Sequence, residues 1–439
     1  MPRLLYSLLI YLLLPFAPLR LLWRGLRQRE YLSHWAERMG FFSQANSNQH
    51  VTRPVIWMHC VSVGETRGAA PLIKELQARY PQYQILITHA TPTGREAGEQ
   101  LFGDQILRCY LPYDTPGAVA RFLKHYRPVL GMLMETELWF NLIAGCKARN
   151  IPILLVNARL SEKSARGYAK LDKLLGGGLV SNGLVKNGLA QLSAIAAQTA
   201  QDAERLQALS ATQPLNICVM GNLKFDVTPP AAAAELGETL RAYFGRRRPV
   251  FLAASTRDGE EAMILDAVQA AAIPQLLTVI VPRHPQRFEE VGNLLNRRGT
   301  HFLRRSKLTE AVPASVEVVL GDSMGEMFAY YAACDAAFIG GSLQPLGGQN
   351  LIEASAMGKP VLIGPHTFNF AAATELALEA KAAWRVRDPA DLGRALQRLF
   401  GDPELRQSMG WKALEFSTSA GGATQRIADL VSQYLSQKT

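Results

Sequence analysis

Short apolar runs followed by helical stretches recur along this chain and restrict its fold more than any other feature. Val55-Ile56-Trp57-Met58 is the first of them. Each run is too short for a helix, and the stretch after it carries helical spacing. That alternation predicts parallel α/β sheets. In the first half, strands are expected at 55–58, 84–88, 106–110, 129–134 and 153–157, with further candidates at 194–197 and 217–219. Helices are expected between them, as at 69–80 and 116–126. A second series is expected at 250–254, 277–281, 316–320, 336–339 and 360–363. Its intervening helices include 259–271, 286–298 and 324–333, and 423–437 closes the chain.

The series divides the chain into two doubly wound halves, at 24–227 and 248–418. "DVTPPAAAAELGETLRAYFGRRRP" reads as a linker plus a short helix, placing an interdomain linker at 228–247. Residues 419–439 form the closing helical segment. A length of 439 residues also exceeds one ordinary core. Ligands of such sheets bind beyond the carboxyl ends of the strands, so the crevice between the halves is the expected site.

The opening "MPRLLYSLLIYLLLPFAPLRLLWRGLRQRE" is apolar over nearly the twenty residues a bilayer span requires. Pro15 and Pro18 weaken it as one helix, and Arg20, Arg24, Arg27 and Arg29 place its following flank in the cytoplasm. Its charge placement and "PFAPLRLLW" fit a cleaved signal poorly, so residues 1–23 read as a retained anchor. Both a spanning and an interfacial placement fit. A net charge of +10 favours anionic partners such as phosphorylated small molecules and acidic lipid. No nucleic-acid signature accompanies it, so nucleic acid is not expected as a partner. The five scattered cysteines lack CxxC spacing and read as core residues in a reducing compartment.

Several strand ends carry groups able to do chemistry. "SVGETRGAAPLI" presents Ser62, Gly64 and Glu65 in a turn; Glu65 either caps the following helix or faces the crevice. "METELW" puts Glu135 and Glu137 at a strand end, and "GNLKFD" does the same for Lys224. In "AASTRDGEE", Ser255, Thr256 and the local N–H groups suit a phosphate or carboxylate. Arg283 follows a strand in "VPRHPQRF", and Glu326 opens a helix in "GDSMGEMFAYY". Asn350 and Glu353 stand about one helical turn apart, with Glu353 suited to ribose hydroxyls. Walker, GxGxxG and DxD patterns are absent, so neither a cofactor nor a metal is required. Each of these carboxylates and cations also has a plain reading as a cap or a solvated side chain.

Together these pieces resemble the Kdo transferases, the 3-deoxy-D-manno-octulosonic acid transferases of lipopolysaccharide assembly. The resemblance runs over nearly the whole chain, through "YLSHWAERMG", "HCVSVGE", "METELW", "NARLSEKS", "GNLKFD", "VPRHPQRF", "GDSMGEM", "GGSL" and "GGQNLIEASAMGKPVLIGPHTFNF". It implies a GT-B fold: two Rossmann-like doubly wound domains facing a central cleft, with an N-terminal membrane-anchor helix. It further implies inverting, metal-independent transfer of Kdo from CMP-Kdo to a lipid A precursor (lipid IVA). The catalytic domains would then lie on the cytoplasmic side of the inner membrane, beside anionic lipid.

By this resemblance Glu65 is the general base, and Glu135 and Lys224 support the transition state. Pro282, Arg283, Met324, Gly325, Glu326, Asn350, Leu351, Ile352 and Glu353 form the CMP site, to which the loop reading adds Ser255 and Thr256. The chain departs from the family pattern at Arg257 and Gln349, each standing where a histidine is usual. Both lie on the expected donor side. A GT-B protein using a UDP-sugar, a non-catalytic binding protein and a nucleic-acid binder are the competing readings. They differ in nucleotide preference, in dispensability of Glu65 and Glu135, and in salt dependence.

Overall fold

The computed structural model describes residues 2–26, 28–42, 51–175, 183–210, 214–227 and 229–436. The chain forms two compact units, one of residues 1–226 with 421–439 and one of residues 227–420.

The first unit is built on a seven-stranded parallel sheet. Its strands are β1 (Val55–His59), β2 (Gln84–His89), β3 (Leu107–Tyr110), β4 (Pro128–Met134), β5 (Ile153–Ala158), β6 (Ala194–Ala197) and β7 (Ile217–Val219). Their order is β3-β2-β1-β4-β5-β6-β7. Every residue of β1 is buried, as expected of a central parallel strand covered on both faces. Trp57 fits there because Gly131 of β4 has no side chain; a Cβ at that position would lie 2.7 Å from the indole. Chain order reverses between β1 and β4, making the ends of these two strands the switch point of the sheet.

The second unit repeats the plan. Its strands are β8 (Val250–Thr256), β9 (Leu277–Pro282), β10 (Phe302–Arg304), β11 (Val318–Leu320), β12 (Ala336–Ile339), β13 (Val361–Ile363) and β14 (Ala383–Arg385). The order β10-β11-β9-β8-β12-β13-β14 puts its switch point between β8 and β12. β10 and β14 were not expected from the sequence. Both are three-residue edge strands carrying an arginine, too short for periodicity to register.

The stretch read as a linker plus a short helix carries a 14-residue helix, Ala231–Phe244. It belongs to the second unit, with Leu240 and Phe244 buried and Gly237 allowing close approach to Ala332. The closing helix Ala423–Ser436 returns to the first unit. Its Ile427, Ala428, Leu430 and Val431 join a core with Leu72, Ile73 and Leu76. Asp226 receives N–H bonds from Gly422 and Thr424, so the chain's departure from the first unit is tied to its return.

At the N-terminus, helices Pro2–Leu13 and Phe16–Gly25 meet at a 49° bend where Pro15 breaks the run. Among the described residues, no single helix is long and apolar enough to cross a membrane; the bent pair meets that test of length and composition only when taken together. The first helix is docked through a polar contact. Tyr6 donates to Asp114 Oδ2 at 2.9 Å, and Ser7 donates to Asn141 Oδ1 at 3.0 Å. Leu4, Leu8, Leu12, Phe16 and Leu19 are exposed on the same pair of helices.

Candidate active site

The loop between β1 and the next helix is only three residues long. Ser62 is the N-cap of helix Val63–Arg79, so Gly64 and Glu65 lie in its first turn rather than in the expected open turn. Sequence spacing accounts for this: S-x-x-E is a capping box. Glu65 Oε2 accepts from the Val61 N–H at 2.8 Å, and Oε1 accepts from Ser62 Oγ at 3.1 Å. Glu65 as a residue is 9% exposed. Burial raises its pKa to about 7, the charges of Glu135 and Glu137 add to the rise, and the Val61 and Ser62 bonds oppose it. One carboxylate is therefore both held by the cap and brought near neutrality by burial.

Glu135 follows β4 on the other side of the switch point. It has φ 56°, a left-handed conformation that costs a non-glycine residue energy and redirects its side chain. Its carboxylate pairs with Lys224 Nζ at 3.1 Å. Lys224 comes from the turn Leu223–Phe225 beyond β7, which Asn157 anchors by accepting the Leu223 N–H at 3.0 Å. The lysine stem lies over Gly68 of the Glu65 helix, where a Cβ would approach within 3.4 Å. Glu137 is close enough to add its charge, and burial raises its own pKa. Glu65, Glu135 and Lys224, separate in sequence, thus share one end of the first sheet. Cys60 adjoins them, but burial first and then the two carboxylates push its thiol well above its usual value, which suits a core residue and not a nucleophile.

In the second unit the expected donor residues lie at or beyond the carboxyl ends of β8, β9, β11 and β12. Ser255 has φ 55° and is half-buried. Thr256 is buried, and its hydroxyl donates to Glu261 Oε1 at 2.7 Å. Pro282 ends β9. Arg283 donates its N–H to the Thr256 carbonyl at 3.0 Å and its Nε to Gln349 Oε1 at 3.2 Å. Gly341 lies between Arg257 and Gln349, so both departures from the family pattern meet here.

After β11, Met324 is exposed and Gly325 takes φ 81°. Glu326 caps rather than enters helix Met327–Ala333, and its carboxylate is held by Arg305 at 3.0 Å and by Ser323. Asn350 precedes helix Ile352–Ala356 and donates to Glu353 Oε1 at 3.1 Å. Leu351 and Ile352 have fully buried side chains and contribute packing and backbone. Sequence reasoning passed over Glu260 and Glu261, the last two residues of "STRDGEE". Both are buried at the start of helix Glu260–Ala271, and Glu261 holds Arg287 through both oxygens at 2.6 and 3.0 Å. Two adjacent acids at a helix start were the signal that could have found them.

Two Rossmann-like doubly wound units define a GT-B-type α/β architecture. A glycosyltransferase from Rickettsia africae aligns over 88% of this chain and 99% of its own, with TM-score 0.56 and 14% identity. A UDP-GlcNAc 2-epimerase from Neisseria meningitidis, solved with UDP-GlcNAc, aligns over 86% and 100%, with TM-score 0.57 and 17% identity. At such identities these structures establish the fold alone, that of GT-B proteins.

Sequence relatives are more specific. The family model described as 3-Deoxy-D-manno-octulosonic-acid transferase (kdotransferase) matches residues 33–227. A 3-deoxy-D-manno-octulosonic acid transferase of Bordetella pertussis is 42% identical over 95% of this chain and 97% of the relative. One of Haemophilus influenzae is 39% identical over 97% of each. The chain belongs to the 3-deoxy-D-manno-octulosonic acid (Kdo) transferase family of glycosyltransferases.

Proposed function

We propose that this chain transfers Kdo from CMP-Kdo to a lipid A precursor by a single inverting displacement. The observation that carries this reading is Glu65, a residue 9% exposed whose carboxyl pKa is raised to about 7, beside the Glu135–Lys224 pair at a switch point. A sugar hydroxyl is a poor nucleophile until a base takes its proton, and a base near neutrality does this best. Glu65 accepts that proton as the hydroxyl oxygen bonds to the anomeric carbon of Kdo. The bond from that carbon to the phosphate oxygen breaks, and CMP leaves with the electron pair. Lys224 and Glu135 support the transition state from the first unit.

Donor binding is assigned to the second unit. Arg283 supplies positive charge to the phosphate, and the backbone of Met324–Glu326 with Asn350 and Glu353 holds the nucleoside. Ser255 is the remaining hydroxyl offered at the carboxyl end of β8. Glu326, whose carboxylate is engaged by Arg305 and Ser323, serves by shaping its loop. The absence of a DxD pair supports transfer without a metal, which undiminished turnover in EDTA would test. The exposed apolar face of the N-terminal helix pair supports attachment to the cytoplasmic side of the inner membrane, where the lipid acceptor resides.

Single-turnover transfer to a lipid acceptor tests the assignment, with mass spectrometry counting the Kdo residues added. Glu65→Gln keeps an oxygen for the Val61 N–H but cannot take the proton. Transfer is expected to fall by roughly 10²-fold or more, with CMP affinity retained and the melting temperature not lowered. A Gln variant within a few-fold of the wild-type rate would leave Glu65 as a helix cap and nothing more.

A further inference from the structure

We propose that Glu260 is a built-in anion that sets the shape of the donor loops, making it a positioning residue for CMP-sugar binding. Its carboxylate is fully buried yet takes four backbone N–H bonds. Oε2 accepts from Arg257 at 2.9 Å and from Gly341 at 2.5 Å. Oε1 accepts from Ser342 at 2.9 Å and from Leu343 at 3.0 Å. Arg257 lies in the loop after β8, and the other three lie in the loop after β12. These are the two loops that flank the switch point of the second sheet.

Successive N–H groups converging on one anion are the arrangement that commonly holds a phosphate. Here the fold fills it with its own carboxylate, so the donor's phosphate must be held elsewhere. The same contacts fix what faces the donor. Gly341 takes φ 71°, and Gly340 lies so close to β8 that a Cβ would come within 2.6 Å of Thr256 Cα. The Gly341 carbonyl accepts from Gly348 at 2.7 Å, and the Gly340 carbonyl accepts from Gln349 at 3.0 Å. Gln349 in turn holds the Nε of Arg283. A chain of contacts therefore leads from Glu260, which touches no donor atom in this scheme, through the loop to the arginine assigned to the phosphate.

This inference rests on reading the second unit as the donor site, so CMP titration of the wild-type full chain comes first. No CMP binding there would sink the donor reading, and Glu260's role with it. Given binding, Glu260→Ala should weaken CMP affinity by roughly tenfold or more and raise the KM for donor more than it lowers kcat. The deletion leaves N–H groups open to a small carboxylate. Formate at tens of millimolar should then restore part of the CMP affinity in the Ala variant and leave the wild type unchanged, measured well below both melting transitions. A merely structural loss of stability does not predict that split or that rescue. A folded Ala variant with wild-type CMP affinity, or with weakened affinity that formate does not restore, overturns the assignment. Should Glu260→Ala fail to fold, Glu260→Gln decides the matter. Its amide N–H group opposes the loop N–H groups and fills the hole, so weaker CMP binding without formate rescue is expected; wild-type affinity in the Gln variant overturns the proposal.

Discussion

Three carboxylates and one ammonium at the end of the first sheet set one another's readiness. The Glu135 charge raises the pKa of Glu65, so Glu135→Gln should move the rising limb of kcat/KM to lower pH. Lys224 pairs with Glu135 at 3.1 Å, and its loss leaves that negative charge unopposed. Lys224→Ala should therefore move the limb the other way, to higher pH. A pH–rate series in which both variants shift in the same direction would break this account. Stability carries the same signature. The folded-state pKa of Glu65 is about 7, above its ordinary 4.5, so between those values the folded state holds more of the proton. Stability contributed by the protonated group is present below pH 4.5 and is lost as pH rises through 7. Glu65→Gln removes that slope and should be more stable than wild type at pH 8 by about 1–3 kcal/mol, but not at pH 4. The cap itself was legible as S-x-x-E. The pKa was not, because it depends first on burial and then on Glu135 and Glu137, which only the β1–β4 pairing brings close. Glu260 escaped notice for the same reason: three of its four partners come from a loop far along the chain.

Among the elements, the N-terminal pair shows how far an apolar pattern can be read. Its hydrophobicity and its break at Pro15 were both visible in the sequence. Its docking was not, since Tyr6 and Asp114 are joined only by the fold. Asp114 is buried, and besides Tyr6 it accepts from the N–H groups of Asn141 and Leu142 at the start of helix Phe140–Lys147. Tyr6 also meets Phe140 edge-on at 5.2 Å. Tyr6→Phe should cost about 1.5–3 kcal/mol of stability, the range for a bond to a charged acceptor, while leaving flotation with anionic vesicles intact. Removing residues 2–26 should abolish flotation and lower the melting temperature, with CMP binding retained. A truncated protein that floats as well as the full chain would remove the pair as the membrane contact. The short strands β10 and β14 were missed for a different reason: three residues at a sheet edge carry no periodicity of their own.

At the scale of the molecule, the two halves were plain from their repeating strand pattern, yet the home of the last helix was not. An amphipathic helix fits any open sheet face, and only Asp226, through its bonds to Gly422 and Thr424, marks where this one returns. Deleting residues 423–439 should unfold the first unit and spare CMP binding by the second. Two separable thermal transitions in the full chain, of which only the first unit's is lost on deletion, would bear this out; a truncated protein retaining both would refute it. The return also fixes an order of events during synthesis. The ribosome completes the entire second unit before it makes the helix that covers Leu72, Ile73 and Leu76. Until release, the earliest-made half of the enzyme waits with that face uncovered, a target for chaperones. A premature stop that removes the helix Ala423–Ser436 would therefore injure the beginning of the protein and not its neighbouring part.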